Sequence, residues 1–199
     1  MPGKDHLTRE DIEALLSSRT TPFELNEILG AYEMAEKAYE DMKFYDGTPY
    51  FHHITRTANI LISELKISDS DVICAGLLQN IHEHSSEITP EIVEYNFGPY
   101  VSLLTENLSR KKDTLDIEPS ELEFDIQDKI NVPGDDYLII KLSAILDILR
   151  FLEPGPNFDL IKLLRNTRNK YFEIMENSAN PSLLYLLQAI RKERNNIIG

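Results

Sequence analysis

Residues 137–152 read YLIIKLSAILDILRFL, a run that is apolar on nearly every side of the helix its spacing predicts. A helix without a polar face must be wrapped by other elements, so this segment marks the middle of the fold. Apolar residues recur at helical intervals through almost all of the 199-residue chain, so the wrapping elements are helices as well. The expectation is an all-α, single-domain bundle of about eight to ten helices, because the length suffices for one buried core and is short for two.

Helix starts carry side chains able to accept from free backbone N–H groups. Thr8 precedes REDIEALL, and Thr21-Pro22 with Glu24 opens the long amphipathic run FELNEILGAYEMAEKAYEDM in the manner of a capping box. After the turn YDGTP, a helix runs FHHITRTANILISEL, and Ser68 or Asp69 caps DVICAGLLQNIHEH. Thr89-Pro90 starts EIVEYNFG, with Gly98 as a stop or a turn into PYVSLLTENLS. From about Arg110 to Asp136 the chain is charged and broken by Pro119 and Pro133-Gly134, which predicts a long, partly helical and mobile connection. EPGPN ends the central helix, and FDLIKLLRNTRNKYFEIMEN and SLLYLLQAIRKERN are two further helices. The single domain 1–199 thus divides into N-terminal helices 1–30, a first core part 31–109, the connection 110–136 and a second core part 137–199.

The formal charge of −14, from 34 acidic and 20 basic residues, argues against nucleic acid and anionic membrane surfaces as partners. The basic clusters Arg110-Lys111-Lys112 and Arg191-Lys192 with Arg194 are short and read as solvated faces near helix ends. Cys74 is the only cysteine and lies in an apolar run, as a buried thiol in a reducing compartment would. No apolar run reaches the roughly 20 residues that span a bilayer, and MPGKDHLTREDIEALL is unlike a signal peptide, so the expected location is cytoplasmic.

Three stretches carry a family resemblance. GTPYFHH is similar to a Gly-x-Pro-Tyr-Ile-x-His turn, ITPEIVEYNFGPYVSLLTENLSR to a run with Thr-x-Glu-Glu-Ile, Phe-Gly and Val-x-x-Leu, and IIKLSAILDILRFL to a helix reading Lys-Leu-Ala-Asp-x-Leu-x-Asn-Leu-Arg. In this order they resemble the HD-domain alarmone hydrolases: the small animal-type ppGpp pyrophosphohydrolases and the N-terminal hydrolase domain of RelA/SpoT-type enzymes. The likeness runs from about Ala31 to Arg194 and implies an HD-domain-like helical bundle. In that family the bundle holds a manganese ion, which activates water to remove the 3′-pyrophosphate.

Carried over position by position, the resemblance gives a depleted site. His53 stands where the first metal ligand is expected. Gln79 and Asn80 occupy the places of the His-Asp pair, and Ala144 replaces the last ligand aspartate. An amide oxygen is a neutral, weaker ligand than imidazole or carboxylate, and a methyl group binds nothing. Glu83 matches the glutamate that handles the proton of the attacking water, while His84 replaces its aspartate partner and Ile148 the asparagine after the last ligand. Ala144 and Ile148, at i and i+4, turn a liganding face apolar. The basic residues that meet phosphates before the turn are replaced by Phe44 and Tyr45, with Lys43 the one cation left there.

Other histidines and acids invite a relocated metal site built on His82, Glu83 or Asp147. His82 and His84 are about 200° apart around a helix and cannot both face one ion, so they read as surface or packed histidines. Asp147 reads as a helix-edge residue paired with Arg150 at i+3, and His53 as either a buried hydrogen-bonded histidine or a residual metal contact. The aromatic residues near 44–51 read as packing, and His6, Tyr171 and Phe172 carry no assignable chemistry. The resulting expectation is a degenerate HD-domain protein without catalysis and without a cofactor, binding an unidentified protein or nucleotide through Lys43, Tyr45, Tyr50 and His53. The alternative is a manganese-dependent nucleotide phosphohydrolase with non-standard ligands.

Overall fold

The computed structural model describes residues 6–44, 47–109, 134–151 and 176–198. The predicted connection over 110–133, the predicted helix FDLIKLLRNTRNKYFEIMEN up to residue 175, Tyr45 and the 110–112 basic cluster lie outside the described residues. The remainder is all-α, with helices α1 (Arg9–Leu16), α2 (Pro22–Ala38), α3 (Tyr50–Asn59), α4 (Ser70–Leu77), α5 (Ile81–His84), α6 (Pro90–Phe97), α7 (Pro99–Leu108), α8 (Asp136–Phe151) and α9 (Pro181–Ile198). No described helix is long and apolar enough to cross a membrane.

The predicted caps form. Thr8 and Thr21 each accept from the backbone N–H three residues on, and the Asp11 and Glu24 side chains reach back to the cap N–H, completing two capping boxes. Asp69, rather than Ser68, caps α4 through bonds from the N–H groups of Asp71 and Val72. Gly98 ends α6 at φ +90° and is also the residue from which α7 starts, a corner that an L side chain would strain.

Two predicted continuous helices are interrupted. The run after the YDGTP turn is α-helical to Asn59 and then widens into a π-helical segment, Ile60–Glu64, closed by a Leu65 N–H bond to the Ile60 carbonyl at 3.0 Å. The predicted helix DVICAGLLQNIHEH breaks after Leu77, because Asn80 is left-handed at φ 64°, and resumes as the short α5. Asparagine is one of the few side chains that tolerates this conformation.

α8 is the central element, as its composition predicts. It packs against α3, α4, α7, α9 and the π-helical segment, and Tyr137, Ile139, Ile140, Leu142 and Ile145 around its circumference are all buried. Arg150, at its end, donates to both carboxylate oxygens of Glu64 (2.6 and 3.1 Å), and Tyr185 of α9 donates to the same carboxylate. That cluster ties α8, α9 and the π-helical segment together. Gly76 lets α4 approach closely: a Cβ there would stand 2.6 Å from Leu61 Cδ1, in the fully buried core.

Candidate functional site

The GTP turn positions the first set of side chains. Gly47 takes φ +85°, its N–H donates to the Phe44 carbonyl (2.9 Å), and the Phe44 N–H donates to the Thr48 carbonyl (2.7 Å). This tight loop delivers Pro49 to the start of α3 and folds Phe44 back over that helix. His53, one turn in, is 3% exposed; Phe44 stacks on its ring at 5.1 Å between centroids, and Tyr50 lies 5.6 Å from it at 57°. Tyr50 also meets His84 and Tyr39 edge-on. Among the described aromatic residues of this region, Phe44 and Tyr50 pack on the histidine itself and Phe51 packs on Tyr32.

The break between α4 and α5 supplies the second set. Tyr39, fully buried, donates its hydroxyl to the Gln79 backbone carbonyl (2.7 Å), and burial holds its pKa well above the usual phenol value. With the Asn80 amide oriented to satisfy both ends, its oxygen accepts from Tyr50 (3.0 Å) and its nitrogen donates to the Leu108 carbonyl (2.9 Å) and Glu83 (3.2 Å). The retained Glu83 therefore braces Asn80. Gln79 is only 2% exposed, and its amide nitrogen has no partner among the described residues.

The third set, on α8, corrects the sequence reading. Asp147 is not at a helix edge and does not pair with Arg150, whose guanidinium is committed to Glu64. It is 0% exposed, and its Oδ2 accepts from His53 Nδ1 (2.7 Å) and Arg56 Nη2 (3.1 Å), while its Oδ1 accepts from Arg56 Nε (2.7 Å). Since carboxylate oxygens only accept, His53 carries its proton on Nδ1. The Arg56 guanidinium also sits over the Phe151 ring, 4.4 Å from its centroid. Helix geometry explains the arrangement: Arg56 is three residues from His53 on α3 and Asp147 three from Ala144 on α8, so the pairs share faces. Arg56 went unnoticed in the sequence, where that i, i+3 relation was the available signal.

Metal chemistry does not fit these residues. Among the described residues no three histidine, cysteine or acidic side chains converge as a ligand group. Ala144 and Ile148 are buried, 7% and 5% exposed, as the apolar face of α8. His82 faces the Ile88 carbonyl with Nδ1 (3.1 Å) and the Thr105 hydroxyl with Nε2 (3.2 Å), so both ring nitrogens are engaged and neither is left for a relocated ion. Both oxygens of Asp147 are likewise taken. Lys43 is exposed beside the turn, and its backbone bridges to Pro49. Tyr45 lies outside the described residues.

A cleft of about 450 Å³ opens on the His52 side of α3, lined by Glu33, Glu36, Lys37, Glu40, Phe51 and His52 among others. Three glutamates against Lys37 give its lining a net negative charge, which suits a phosphate poorly. His52 stacks on His6, with ring centroids 4.0 Å apart and planes 11° from parallel, giving His6 a packing role that the sequence left blank.

Comparison with known proteins places this geometry. Residues 31–131 match the family described as the HD domain. A Drosophila melanogaster protein named guanosine-3′,5′-bis(diphosphate) 3′-pyrophosphohydrolase MESH1 is 32% identical over 106 residues, which is 53% of this chain and 57% of that protein, so the chain spans little more than half of its relative's length. A solved structure titled "A metazoan ortholog of SpoT hydrolyzes ppGpp and plays a role in starvation responses" superposes with a TM-score of 0.62 at 24% identity, covering 84% of this chain and 95% of that one. That likeness shows the fold.

Proposed function

The chain belongs to the HD-domain family, and from that premise we propose that it keeps the scaffold of a ppGpp pyrophosphohydrolase while acting by binding rather than by metal-dependent hydrolysis. One observation carries the reading. Of the four positions where the resemblance places metal ligands, Gln79, Asn80 and Ala144 present an amide, an amide and a methyl group, and the remaining histidine is held by Asp147, whose carboxylate is shared with Arg56. One imidazole with two neutral amides and no carboxylate is a poor donor set for a divalent transition ion.

The ligand is a nucleotide or a partner protein in a cytoplasmic setting. A small ligand would be less anionic than ppGpp and contacted by aromatic residues such as Tyr50, because Arg56, the cation sharing a carboxylate with His53, is neutralised by its Nε and Nη2 bonds to Asp147. The test has two arms. Purified protein is dialysed and analysed for manganese, iron and zinc, and ppGpp hydrolysis is followed with and without added manganese; stoichiometric metal or turnover above a no-enzyme control refutes the reading. Calorimetric titration with ppGpp, GTP and uncharged nucleosides at two ionic strengths then separates the ligands. Tight, strongly salt-dependent ppGpp binding marks an alarmone sensor, and no binding directs the search to a protein partner.

The alternative, a manganese-dependent phosphohydrolase with non-standard ligands, draws on one feature: metal-bound histidines are commonly oriented by a carboxylate on their other nitrogen, as Asp147 orients His53. The metal analysis decides between the two.

A further inference from the structure

We propose that the Arg56 guanidinium supplies internally the positive charge that an HD site takes from its metal, and that it closes the His53–Asp147 pair to divalent ions. The inference rests on the metal-free reading above and adds to it a named residue and a cause.

Asp147 is 0% exposed, and a carboxylate so placed must be compensated or protonated. Arg56 compensates it with a fork of two hydrogen bonds, and His53 donates a third, so both carboxylate oxygens carry donors. Arg56 itself is enclosed, its side chain 11% exposed with Phe151 against the guanidinium, while Phe44 covers His53. A divalent ion seeking the Asp147 carboxylate would have to displace a like-charged, fixed guanidinium from a largely dry site. The structural duty of a bridging ion is covered as well: Arg56–Asp147 ties α3 to α8, and Tyr50–Asn80 ties α3 to the α4–α5 break.

The experiment measures thermal unfolding against manganese concentration, from chelator to several millimolar, for the full chain, Arg56→Ala and Arg56→Ala/Asp147→Asn. The wild type should be indifferent to manganese. Arg56→Ala, left with an uncompensated buried carboxylate beside an imidazole, should unfold at lower temperature and be raised progressively by manganese, as a ligand binding only the folded state requires. The double variant should lose that response. Manganese stabilisation of the wild type, or an Arg56→Ala protein that gains nothing from the ion, overturns the inference. Should Arg56→Ala not fold, imidazole NMR of the wild type decides: His53 signals that keep their Nδ1-bound proton and stay sharp under manganese support it, and selective broadening overturns it. Failure here without bound metal or turnover leaves the proposed function standing, whereas turnover removes that reading first.

Discussion

His53 and Asp147, 94 positions apart in the chain, share a 2.7 Å hydrogen bond in the buried interior, and Arg56 closes the same carboxylate from the other side. This contact joins α3 to α8 at the level where the family resemblance places a metal ion. Its energetics differ from those of a surface ion pair, because removing one partner strands the other charge.

Asp147→Ala should therefore destabilise the protein by about 3–5 kcal/mol, the usual consequence of leaving a buried guanidinium unpaired. Asp147→Leu combined with Arg56→Met should cost markedly less than the sum of the two single changes, since a well-packed apolar pair removes both desolvation terms. Urea unfolding of the four proteins measures the coupling. Additive single effects would show that the pair does not act as a unit.

Restoring the family letters should restore ion binding. Gln79→His, Asn80→Asp and Ala144→Asp together rebuild the ligand set around His53, and Ile148→Asn returns the neighbouring polar group. The expected result is near-stoichiometric manganese after dialysis, tighter still when Arg56→Ala is added, read by elemental analysis. Metal without ppGpp turnover would place the remaining deficit in the phosphate contacts near Phe44.

Gly76→Ala should cost stability even though alanine is the better helix former. Propensity favours the change by about 1 kcal/mol, while overpacking a sealed core costs about 1–3 kcal/mol; the new methyl would meet Leu61 at 2.6 Å in a region without slack. A net loss of up to about 2 kcal/mol is expected by chemical denaturation. The pair Gly76→Ala with Leu61→Val should recover part of it.

The His6–His52 stack should make stability pH-dependent. Burial first, then His6, Arg56 and Lys43, push the His52 pKa below its ordinary 6.5, against the glutamates that share its cleft. A folded-state pKa below the unfolded one means that the contribution is fully present above 6.5 and fades as pH falls through the lower folded value. His52→Phe keeps the stack and removes the titration, so its melting temperature should fall less steeply than that of the wild type as pH drops below about 6.5. Parallel curves would assign the slope to other groups.

Much of this protein was written locally. The capping boxes at Thr8 and Thr21, the Gly98 corner and the buried course of α8 follow from side chains that act on their own turn or from an apolar pattern that admits only a central position. That Gln79, Asn80 and Ala144 offer two amides and a methyl group was equally legible, because whether a side chain can bind an ion is a property of its atoms. The tertiary structure decided the partners. Spacing offered Asp147 a solvent-edge bond to Arg150, but packing α3 against α8 buried it, and a buried carboxylate takes whichever charge the fold brings near, here Arg56 with His53. Arg150 went to Glu64 for the same reason, and the α4–α5 break came with a left-handed Asn80 whose amide bonds Tyr50 and Leu108, contacts that no window along the chain contains.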